Sequence, residues 1–121
     1  MFGDTITVTI NAVAKVLSKI NQDGYSSEYL LRADTEEFRM RIRNTTYADK
    51  TRGGKKVDRH NVELVHRVYA VAPATVDTIR KAYSIIENDQ GDPSTAVVKF
   101  GAGMFAFHTE ANITKLFNFE S

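Results

Sequence analysis

Apolar and polar side chains alternate along most of the N-terminal half of the chain. Thr5 to Ile10 sets threonines against Ile and Val, and Lys15 to Ile20 follows a brief connection at Asn11 and Ala12, so the two runs predict a hairpin. NQDG at 21–24 is turn chemistry, since Asp-Gly tolerates the positive φ of tight turns. Ser26 to Arg32 is predicted as a third strand, ADTE at 33–36 as a loop and Glu37 to Thr46 as a fourth strand. Gly53-Gly54 and the charges around it in YADKTRGGKK mark an exposed, mobile hairpin loop. A fifth strand runs from Val57 to about Val71, with Val62, Leu64 and Val68 on one face and Arg59, Asn61, Glu63 and Arg67 on the other, until Ala72-Pro73-Ala74 breaks it.

The C-terminal third changes period. In residues 75–89, Val76, Ile79, Tyr83 and Ile86 recur at helical spacing although YSII is strand-like, and periodicity alone slightly favours helix. Asp92 is then predicted to cap a helix with Pro93 at its first position, and Val97, Val98, Phe100, Met104, Phe105 and Phe107 give that helix a wide apolar face. Gly101 and Gly103 weaken it by up to about 1 kcal/mol each relative to alanine, which close approach of another backbone would offset. A second short helix, Ala111 to Phe119, carries Ile113, Leu116, Phe117 and Phe119. Strands first and helices last, with no repeat or linker, predict one α+β domain over residues 1–121 with helices on one face of an antiparallel sheet.

EFRMRIRN at 37–44 is the stretch with the most specific chemistry. Strand geometry puts Arg39, Arg41 and Arg43 on one face and Phe38, Met40 and Ile42 on the other. The formal net charge of the 121-residue chain is only +1, yet residues 39–59 hold eight basic groups against two acids, so the charge is polarised along the sequence. There is no cysteine, which leaves neither a disulfide framework nor a cysteine-based metal site or nucleophile. MFGDTITVTIN lacks the marks of a secretory signal, and no segment approaches the roughly 18 to 20 consecutive apolar residues of a membrane span, so the chain is read as soluble, without a membrane partner.

The order of elements, together with GDTITVTI, AKVLSKINQDGYSSEYLL, RHNVELVHRVYA, IRKAYSII and the terminal KLFNFES, resembles the coat proteins of the small single-stranded RNA bacteriophages, levivirus-like, and above all the Caulobacter RNA phage coat. The resemblance runs in order along nearly the whole chain. It implies an N-terminal hairpin, a five-stranded antiparallel sheet and two C-terminal helices, in an interlocked homodimer with a continuous ten-stranded sheet. It also implies a strand rather than a helix for residues 75–89, and strand is the reading adopted. The implied function is a structural capsid protein, not an enzyme, which self-assembles into an icosahedral T=3 shell in the bacterial host cytoplasm. Its implied partners are further copies of itself and single-stranded genomic RNA, whose hairpin operator it binds on the interior face of the sheet in translational repression and packaging.

Candidate RNA-binding residues follow from the strand faces and from that resemblance. Arginines two residues apart lie about 6 to 7 Å apart along a strand, close to the phosphate spacing of RNA, and guanidinium forks engage phosphate oxygens in pairs. Arg39, Arg41 and Arg43 are therefore candidates, and RHNVEL adds Arg59, Asn61 and Glu63 by resemblance, with Arg67 on the same strand face. Tyr83 lies near the position where family members present a tyrosine to a base, and Glu87 is a further acceptor. A solvated charged sheet face is the ordinary explanation of such a pattern. Like charges crowded without counterions would repel, however, and an RNA would supply the anion. Lys50, Arg52, Lys55 and Lys56 read as a solubilising loop.

His60 and His66 flank Glu63, but alternation puts the histidines on one face and the carboxylate on the other, against a zinc site. No cofactor is implied with certainty. Structural calcium at contacts between dimers is the one metal the resemblance suggests, with ligands that one chain does not identify. A non-viral dimeric RNA-binding translational regulator is the alternative function, separated from a coat by whether closed particles form.

Overall fold

The computed structural model describes all residues, Met1–Ser121, in two compact units, Met1–Glu87 and Asn88–Ser121. The first unit is built on a meander of strands: β1 (Thr5–Ile10), β2 (Val13–Gln22), β3 (Ser26–Arg32), β4 (Glu36–Asp49), β5 (Lys55–Val68) and β6 (Thr78–Asp89). They form one six-stranded sheet in sequence order, in which β1 to β5 pair antiparallel. The expected five-stranded sheet with a separate hairpin is thus corrected to six strands. β2 runs on past a register shift between Lys19 and Asn21, and its pairing with β3 carries the hairpin into the sheet.

The connections show how local chemistry sets this register. Asn11 and Ala12 both take positive φ, 51° and 61°, the two-residue turn whose twist suits a β-hairpin. The NQDG turn works differently from the prediction, because Gly24 is not among the positive-φ glycines. Instead the Asp23 carboxylate accepts from the backbone N–H groups of Tyr25 (3.0 Å) and Ser26 (2.8 Å). β4 and β5 extend well into the expected loop, leaving a single 3₁₀ turn, Lys50–Arg52, that is capped by Asp49 and followed by Gly53 and Gly54 in left-handed backbone.

The core lies on one face of the sheet. Leu17, Tyr29, Phe38, Met40 and Ile42 form a buried cluster, against which Ile6, Val8, Leu31, Val62 and Leu64 pack. Phe38 stacks on His66 with ring centroids 4.2 Å apart, and the Tyr29 hydroxyl donates to the Gly3 carbonyl at 2.7 Å. Residues 78–89 are a strand, as the resemblance implies and against their helical periodicity.

The second unit holds α1 (Ser94–Ala106) and α2 (Glu110–Phe117). Asp92 does not cap α1. Pro93 occupies the cap position with ψ at 127° and no side-chain hydrogen bond, because its ring fixes φ but leaves ψ free to stay extended. The Pro93 carbonyl accepts from the N–H groups of Ala96 and Val97. α2 begins one residue earlier than predicted because the Thr109 hydroxyl accepts from the Asn112 N–H at 3.2 Å. It stops at Phe117, and Phe119 turns the chain with φ at 61°. Val98, Phe100, Met104, Phe107, Ile113, Leu116 and Phe117 are exposed, and no helix is long and apolar enough to cross a membrane. Gly103 has nothing within 4 Å of where a Cβ would stand, whereas Gly101 is buried.

Candidate nucleic-acid interface

Pairing between β4 and β5 sets the face opposite the core. Arg39 lies across from Val65, Arg41 from Glu63, Arg43 from Asn61, Thr45 from Arg59 and Glu37 from Arg67. Directly paired residues share a face, so Arg39, Arg41, Arg43, Arg59, Asn61, Glu63 and Arg67 come together. β3 adds Glu28, opposite Arg41. From β6, Ile79 and Lys81 line a depression of about 440 Å³ with Glu37, Arg39, Arg41, Glu63, Val65 and Arg67. The Glu87 carboxylate lies 3.7 Å from the Arg59 guanidinium. Tyr83, between Lys81 and Glu87 in a period of two, therefore belongs to the same face, and it is 65% exposed.

These arginines do not stand without counterions, which corrects the repulsion expected of them. Glu28 holds Arg39 by a hydrogen bond and Arg41 at 3.5 Å. Glu63 reaches Arg41 at 3.9 Å and Arg43 at 3.6 Å. Arg67 is held by Glu37 at 3.5 Å and Asp77 at 3.3 Å. Adding Arg32, which pairs with Glu37, and Lys81 gives seven cations against the five carboxylates Glu28, Glu37, Glu63, Asp77 and Glu87, an excess of two. The window 39–59 overstates the positive charge because the sheet delivers carboxylates from neighbouring strands.

Two groups on this face have perturbed protonation. The hydrogen bond from Arg39, reinforced by the charges of Arg39 and Arg41, holds the Glu28 carboxyl below its ordinary value. The Tyr47 hydroxyl donates to Glu87 at 3.0 Å, and that bond raises the phenol. Asn61 carries a different kind of imbalance, for its side-chain oxygen is buried and accepts no hydrogen bond.

His60 and His66 lie on the opposite face from Glu63, paired with Asn44 and Phe38. Arg80 donates to His66 Nδ1 at 3.2 Å, which leaves Nε2–H to donate to Glu36 at 2.9 Å. No group of three or more His, Asp or Glu side chains is arranged to hold a metal.

Glu28, Glu37, Asp77 and Lys81 were not among the candidates read from sequence. Glu28 and Lys81 were within reach of the strand period, two residues from Ser26 and Tyr83 respectively, once neighbouring strands are put in register.

Residues 3–89 match the family described as "Phage phiCb5, coat protein". The chain belongs to that family. A search of curated proteins finds no match. The matched residues cover β1 to β6, so the coat-protein assignment rests on the sheet that carries the arginine face. Membership gives the coat-protein chain a structural role in a phage capsid, and with it a place in the virion.

Proposed function

We propose that this coat protein pairs as a homodimer, closes into an icosahedral shell and binds single-stranded genomic RNA through the face of β3 to β6 described above. A single coat domain over residues 1–121 performs both tasks. The observation that carries the RNA reading is the register itself: five arginines, Asn61 and the exposed ring of Tyr83 share the face opposite the buried core cluster. Each paired guanidinium retains N–H donors that a carboxylate does not use, so phosphate oxygens find charge-assisted partners at fixed spacing. An unpaired base stacked on Tyr83 would add roughly 1 to 3 kcal/mol. Dimerisation is supported by β6, a 12-residue strand at the sheet edge, and by the exposed apolar residues of α1 and α2.

Electron microscopy of purified material, read with the ratio of absorbance at the nucleic-acid and protein maxima, tests both halves. Closed RNA-containing particles are expected, and a discrete dimer at every concentration would reject the coat reading. Replacing Arg39, Arg41 and Arg43 together by alanine is expected to lower RNA content and to flatten the salt dependence of binding by up to about three phosphate equivalents. Unchanged RNA content and slope in that variant would remove the face from the function.

A further inference from the structure

We infer that Glu28 and Glu63 are specificity-determining residues of this face: they occupy the guanidinium groups of Arg39, Arg41 and Arg43 in competition with phosphate, so that a bare polyanion is bound poorly. The inference rests on the RNA reading above and adds a device to it. Glu28 bridges Arg39 and Arg41, and Glu63 bridges Arg41 and Arg43, so two carboxylates span three consecutive arginines. They also lie deeper than their partners. Glu28 and Glu63 side chains are 23% and 17% exposed, against 30% to 47% for the three arginines.

This stacking has a defined chemical consequence. An incoming phosphate meets the guanidinium groups first, but each gains it only by sharing or releasing a carboxylate already in place. The released carboxylate stays nearby, partly buried, and repels the phosphate. Counterion release, the sequence-independent driving force for polyanion binding, is thereby blunted, because the arginines already carry their own counterions. Binding then depends on what a bare polyanion lacks, a base to stack on Tyr83 and base edges for Asn61 and the carboxylates.

The test compares full-length subunits of wild type, Glu28→Gln, Glu63→Gln and Arg41→Ala on two probes, a fluorescent single-stranded RNA of mixed sequence and inorganic polyphosphate, over a range of salt. Glutamine preserves shape while removing the charge, and circular dichroism checks the fold. Having two separate glutamine variants keeps the test decisive if one does not fold. Each glutamine variant is expected to free about one phosphate equivalent, steepening the logarithmic salt slope for RNA by roughly 0.7 and raising RNA affinity about fivefold at 0.1 M salt. Polyphosphate, with only charge to offer, gains at least as much, so the preference for RNA narrows. If Arg41→Ala weakens RNA binding while the glutamine variants match wild type in affinity and slope, the carboxylates merely orient the arginines and this inference is overturned. If Arg41→Ala also changes nothing, the RNA reading of the face falls with it.

Discussion

Glu28 shows how one side chain ties the stability of this sheet to its charge. Its carboxyl is held below the ordinary value of 4.5 by the Arg39 hydrogen bond and the neighbouring guanidinium charges. A depressed carboxyl contributes stability that is fully present above its unfolded value and is lost as pH falls through the folded one. Wild type is therefore expected to exceed Glu28→Gln in stability above pH 4.5, and the margin should shrink to nothing as acid takes the pH below the depressed value. Chemical denaturation of both proteins as a function of pH checks this. A margin that persists in strong acid would mean that shape, not charge, supports Arg39. The same substitution that weakens the fold is expected to strengthen RNA binding, a trade familiar where a site is kept in tension with its scaffold.

At the scale of elements, turns carry strain that sequence periodicity does not reveal. Ala12 takes φ at 61° in the β1–β2 turn, where a side chain costs roughly 1 to 2 kcal/mol that glycine escapes. After the extra entropy glycine loses on folding, Ala12→Gly is expected to stabilise the protein by roughly 0.5 to 1 kcal/mol in thermal or denaturant unfolding. Alternation made β1 to β5 legible, and the pairing of Arg39, Arg41 and Arg43 with one face and Phe38, Met40 and Ile42 with the other needed only the strand period. β6 was not legible that way. Its apolar residues recur at helical spacing, and the strand followed from resemblance, because its place at the sheet edge is a lateral relation that local spacing does not encode. The carboxylate partners were missed for a related reason. Glu28 is 11 residues from Arg39 in sequence, and only the β3–β4 register makes them neighbours.

Across the whole molecule, the helical unit carries a second cost with a testable meaning. Glu120 N–H closes on the Lys115 carbonyl and Phe119 N–H on that of Leu116, a helix-ending motif that normally places glycine where Phe119 stands. Phe119→Gly is expected to leave the thermal stability of unassembled subunits undiminished and to lower the yield of closed particles, measured by electron microscopy. Equal particle yield would show that the ring plays no part in joining copies. The near-balance of charge on the sheet reaches further. A glutamate codon becomes a lysine codon by one base change, and each such change at Glu28 or Glu63 would swing the surface by two units at a position already flanked by arginine. On the proposed RNA reading of this face, a lineage carrying this coat would have an adjustable grip on its cargo, tunable in single mutational steps without rebuilding the sheet.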